Sequence, residues 1–252
     1  MKPTITVEAV AYHEAGHAVV GWKFRNTLRS EGVFVDRDNV GAGLCDHLPV
    51  TKPYMALATF THYRKQPEIW RHYTLAIHWE VMGLLAGPMA EKRFCKIRGS
   101  GLASGMDDTE RARLYYGFLE AAKHGRQEPT RQDLHGDGID LWLWLTQQRT
   151  ARLLQSPSVW RAVQRLAREL VRHGHVTAEK AERIIAGAGV RQISERAWIG
   201  PAVKPETISG SAATAARRAG RGYSPARPAA NAGNRRHETA TETDPRPSQR
   251  TS

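Results

Sequence analysis

From Val7 to about Lys23, small and apolar residues dominate without a break (Val10, Ala11, Ala15, Ala18, Val19, Trp22), and Thr6 or Thr4 can cap the start. The pattern predicts a buried helix. After Asn26 the rhythm changes: Gly32–Asp36 and Val40–Leu44 are short, partly β-branched runs separated by Arg37-Asp38-Asn39, which predicts a hairpin. Ile69, Tyr73, Ala76, Ile77, Val81, Leu84 and Leu85 then recur at helical spacing. Gly87-Pro88 either kinks that helix or starts a second one through Phe94. Gly99, Ser100, Gly101, Ser104 and Gly105 predict a flexible loop before a helix from about Asp107 to His124, with Asp107 and Asp108 at its positive end. A polar connection over 125–138 leads to helices over about Ile139–Leu154 and Val159–Arg172, the second opened by Ser156-Pro157 and closed by Gly174. A short helix follows Thr177 and ends near Gly187.

Beyond Pro201 the large apolar residues almost vanish, and Ala, Arg, Pro, Ser, Thr and Gly take over. Such a segment cannot offset the entropy of ordering, so 201–252 is expected to be a disordered tail behind one domain over 1–200. The 252 residues carry a formal net charge of +12, of which the tail holds +5. Acidic partners are favoured, and nucleic acid could be held through the basic tail, although a solvated terminus is the plainer reading. Cys45 and Cys95 form no Cys-x-x-Cys pair, which argues against a disulfide framework or a cysteine zinc site and fits a reducing, cytoplasmic setting. No signal-peptide core opens the chain, and no apolar run approaches the roughly 20 residues of a membrane span, so a soluble protein is expected.

Chemistry enters with His13-Glu14-Ala15-Gly16-His17, an H-E-x-x-H pattern on the buried helix. Residues four apart share one helical face, so both imidazoles can reach a single Zn²⁺ at about 2.0–2.1 Å. Glu14, rotated by about 100° from His13, borders the open coordination position and can act as general base on a water. Two histidines and a carboxylate among Ala, Gly and Val are costly to bury unless something binds them. A third protein ligand must come from downstream. No Glu-x-x-x-Asp or His-x-x-Gly-x-x-His continuation follows His17, and the loop ending in Gly105-Met106-Asp107-Asp108 is the best source of a carboxylate. Asp107 can also simply cap the helix. Glu91 is a rival ligand by chemistry. Trp142, Trp144, His62, His72 and His78 read as core or surface residues without a role at the site.

Three blocks resemble the peptidase domain of the FtsH-type, ATP-dependent zinc proteases. They are Val10–Val19 around the H-E-x-x-H pattern, Leu84–Glu91 (LLAGPMAE), similar to the family's L-A-G-x-x-A-E, and Ser104–Ala112, similar to G-A-x-N-D-[LI]-x-x-A. A weaker likeness covers Trp160–Ile185. The resemblance spans about Val7–Ala186. It implies Asp108 as the third zinc ligand, with Asp107 at the family's Asn position and Glu91 in a structural role that orients a histidine. It also implies an α+β, mainly α-helical zincin-like fold, with a small sheet beside the zinc helix whose edge strand binds the substrate backbone.

The implied function is a zinc metalloendopeptidase acting on peptides or unfolded protein. Family members carry membrane segments and an ATPase ahead of the peptidase. This sequence starts almost at the zinc helix and has no G-x-x-x-x-G-K-[ST] loop, so any unfolding of substrates would fall to a separate ATPase partner. Oligomeric state stays open. The other reading is a catalytically silent, peptidase-like module that uses the basic tail to engage nucleic acid or a protein; an intact Glu14 argues against it.

Overall fold

The computed structural model describes residues 6–38, 42–48, 65–96, 106–126 and 128–194. In chain order these form α1 (Val7–Lys23), β1 (Thr27–Val35), β2 (Gly43–Leu48), α2 (Pro67–Cys95), α3 (Met106–Lys123), α4 (Arg131–His135), α5 (Asp137–Gln155), α6 (Pro157–His173), β3 (His175–Val176) and α7 (Ala178–Gly187). The architecture is α+β: mostly helical, with one antiparallel sheet in the order β2-β1-β3. No helix among the described residues is long and apolar enough to cross a membrane. The expected disordered tail lies outside the described residues, as do His62, the loop residues 97–105 and the hairpin turn residue Asn39.

Helix α1 begins where expected, because the Thr6 hydroxyl accepts from the Ala9 N–H at 3.1 Å and satisfies a first-turn donor. Its small residues let neighbours come close. A Cβ on Gly16 would lie 2.5 Å from the Ala86 carbonyl oxygen, so glycine here sets the spacing between α1 and α2. The hairpin forms, but its second strand is displaced from the expected Val40–Leu44 to Gly43–Leu48, and the first extends back to Thr27. Polar Asp46 and His47 broke the apolar reading of β2. In β1, a bulge between Leu28 and Val33 absorbs the polar Arg29-Ser30-Glu31. Gly32, at φ +75°, takes the left-handed conformation there, close to the Val176 backbone.

At Gly87-Pro88 no second helix starts: the segment stays helical as expected, α2 running through Pro88 to Cys95 and ending at Lys96 in the left-handed conformation. The expected polar connection over 125–138 holds the short helix α4, fixed by a capping box between Thr130 and Asp133. At the far end, Gly174 (φ +73°) closes α6 by donating its N–H to the Leu170 carbonyl at 2.7 Å.

The buried apolar residues separate into two clusters. One gathers α1, the inner face of the sheet (Val33, Val35, Val176), α6 and α7, together with Met82, Ala86 and Ala90 of α2. The other joins Tyr73, Ile77, Val81 and Leu85 of α2 to Ala112, Tyr116 and Leu119 of α3 and Ile139 and Leu143 of α5. Helix α2 belongs to both, and the polar residues His13 and His17 of α1 meet Asp108 of α3 beside it.

Candidate metal centre

His13 and His17 project from one face of α1, their rings edge to face with centroids 4.7 Å apart. Asp108, in the first turn of α3, reaches the same point. Its Oδ2 lies 3.0 Å from His13 Nε2 and 3.3 Å from His17 Nε2, while the two Nε2 atoms are 2.9 Å apart. Each ring's other nitrogen is already engaged: His13 Nδ1–H donates to Glu91 Oε2 at 3.0 Å, and His17 Nδ1–H to the Gly83 carbonyl at 2.9 Å. A carbonyl oxygen can only accept, which fixes the proton of neutral His17 on Nδ1 and leaves Nε2 as a lone pair. With both imidazoles neutral, three acceptors therefore converge with no donor between them.

Such a triangle repels itself unless a cation sits in it. At metal–ligand bonds of about 2.1 Å, tetrahedral ligand atoms stand about 3.4 Å apart, and the three separations here, 2.9, 3.0 and 3.3 Å, come close to that. The donor set of two imidazoles and one carboxylate suits zinc. Without an ion the same demand falls on protons. Burial pushes the His13 imidazole down, but hydrogen bonds to Asp108 and Glu91 outweigh it and raise the pKa to about 9. Burial likewise pushes Asp108 up, yet the two histidines hold its carboxyl well below the usual range.

Glu14 follows His13 directly on α1. Its buried carboxyl rests against β2, where a Cβ on Gly43 would lie 2.6 Å from Oε1 and where the Cys45 N–H donates to it. Burial raises its pKa, countered by the charges of His17 and His13. A carboxyl shifted upward beside a metal site is suited to taking a proton near neutral pH.

The structure thus brings together His13, His17 and Asp108 as a group that could hold a metal ion, with Glu14 next to His13 on the same helix. It does not place Glu91 among the ligands: Glu91, 1% exposed, stands on the far side of His13, where it orients the ring. Asp107 opens α3, and its side chain lies outside the described residues. Four contributors were not singled out from the sequence. Gly83 supplies the carbonyl for His17; Gly87 leaves room for its ring, since a Cβ there would lie 2.5 Å from Cε1; Gly43 makes room for Glu14. His47 packs on Gly21, one turn beyond His17, with Nε2 3.2 Å from Cys45 Sγ; its pKa falls to about 4 through burial and the neighbouring His17. Only the glycine of the L-A-G block carried a sequence signal. The chain matches no protein-family model and no curated protein.

Proposed function

We propose that the protein is a zinc metalloendopeptidase with a zincin-like fold of the FtsH type, acting on peptides or unstructured chains. The observation that carries this reading is the convergence of His13 Nε2, His17 Nε2 and Asp108 Oδ2 within 3.3 Å of one another, beside a buried Glu14. When bound, zinc supplies Lewis acidity, polarising a scissile carbonyl and acidifying a water. Glu14 takes the proton of that water and returns it to the leaving amine, as its raised pKa allows. Glu91 and the Gly83 carbonyl hold the two imidazoles so that both Nε2 atoms face the metal. Among the described residues strand β2 is a sheet edge, and its Gly43 and Cys45 lie against Glu14, so an extended substrate pairing with that edge would bring its backbone to the general base. A cytoplasmic setting suits the two unbridged cysteines.

The test is metal analysis together with cleavage of an unfolded protein such as casein. Wild type should hold about one zinc per chain and cleave. Glu14→Gln should keep the metal and lose at least about a hundredfold in rate. Cleavage surviving in Glu14→Gln, or wild type that binds no divalent metal, overturns the assignment.

A further inference from the structure

Helix α6 carries Arg161, Arg165, Arg168 and Arg172, all exposed. At 100° per residue their directions fall within about 60° of arc, and the first and last stand about 17 Å apart along the axis. The opposite face (Val159, Ala162, Val163, Leu166, Ala167, Leu170) is buried in the first core. The four guanidinium groups therefore form a fixed row on a helix that cannot rotate.

Among the described residues, little neutralises that row. The helix has a single acid, Glu169, and Lys180 of α7 occupies it at 2.5 Å, with Arg172 and His173 each 3.7 Å away. Arg161, Arg165 and Arg168 have no carboxylate within ion-pair distance among the described residues; Arg165 donates only to the Gly187 carbonyl, at 3.2 Å. Arg37 extends the row at its C-terminal end, donating to the Arg172 carbonyl. Like charges at i,i+4 (Arg161/Arg165, Arg168/Arg172) disfavour a helix, so the arrangement costs stability when free and gains it when a polyanion lies along it.

We infer that α6 is a docking surface for the phosphate backbone of a nucleic acid. Three observations select this occupant over an anionic membrane. All four groups are arginines, whose planar fork matches phosphate oxygens. The row is straight and about as long as five nucleotides of one strand at 3.4 Å each. No large apolar side chain of α6 is exposed to anchor in lipid, Trp160 and Val171 being packed against the core. The contact is sequence-independent, since nothing in the row reads bases. It is independent of the metal centre and does not rest on the peptidase reading.

The experiment uses the full chain and its full-length variant Arg161→Gln/Arg165→Gln/Arg168→Gln/Arg172→Gln. Fluorescence anisotropy with labelled duplex DNA and single-stranded RNA of about 20 nucleotides is read from about 50 to 200 mM salt. Phosphatidylserine vesicles serve as the competing polyanion. Wild type should bind the nucleic acids with a steep salt dependence. The variant, with a melting temperature no lower than that of wild type and unchanged metal content, should bind at least about tenfold more weakly, its log–log salt slope shallower by about 3 to 4. An equal slope in the variant would place binding elsewhere, for instance in the basic tail, and overturn the inference. So would preference for the vesicles, or no binding at low salt.

Discussion

At His13 two carboxylates compete for one imidazole, and the ring assigns them different work. Asp108 meets Nε2, the nitrogen that faces His17; Glu91 meets Nδ1, on the opposite side of the ring. Asp108→Ala removes a ligand atom, whereas Glu91→Ala leaves the ligand set complete but frees the ring to turn. Zinc affinity, measured by competition with a chelator, should fall about 10- to 100-fold in Glu91→Ala and further in Asp108→Ala. Glu91→Gln, which retains an acceptor for Nδ1–H, should recover part of the loss. Equal losses in Glu91→Ala and Asp108→Ala, with no recovery in Glu91→Gln, would mean that Glu91 ligates.

Between elements, the spacing of α1 and α2 is set by glycines that a side chain would violate in two distinct ways. At Gly16 an added Cβ meets the Ala86 backbone, which cannot move without separating the helices. Gly16→Ala should therefore destabilise the protein by about 1–3 kcal/mol in denaturant titrations and weaken metal binding together with it. At Gly87 the clash is with the His17 ring. Gly87→Ala should spare the fold and weaken metal binding, because a side chain can swing away where a backbone cannot; equal stability losses in both variants would contradict this. The same contrast explains what the sequence made legible. The H-E-x-x-H spacing is local to one helix, and the Asp108 block follows its own helix start, so both could be read along the chain. The Gly83 carbonyl and the space at Gly87 and Gly43 arise only where distant segments touch. Strand β2 was misplaced because pairing with β1 and contact with α1, where polar His47 packs on Gly21, hold it in place rather than an apolar pattern of its own. The two-residue β3 exists only by pairing with Val33 and Phe34.

Over the whole molecule, the candidate metal centre spans a seam: His13 and His17 sit on α1, which packs in the first core, while Asp108 sits on α3, which packs in the second. Zinc at a thousandfold above its Kd should add about 4 kcal/mol to stability, seen as a higher Tm that His17→Ala abolishes. The second core carries its own fastening. His78 of α2, Tyr116 of α3 and Thr146 of α5 form a buried hydrogen-bonded group, with His78 Nδ1 3.0 Å from the Tyr116 hydroxyl. Arg149 donates to His78 Nε2 at 3.0 Å, which requires that nitrogen to be unprotonated. Burial, and then the Arg149 charge, lower the His78 pKa from 6.5 to about 4. Between these values the unfolded chain binds the proton and the folded one does not, so stability is full above pH 6.5 and is lost as pH falls toward 4. The loss amounts to about 3 kcal/mol at most. It appears as a difference between two titrations: in chelator, so that metal release does not contribute, wild type should lose more stability than His78→Gln from pH 7 to 4.5, because glutamine takes up no proton. Parallel pH profiles would show that the imidazole is protonated within the fold, with Arg149 turned away from it.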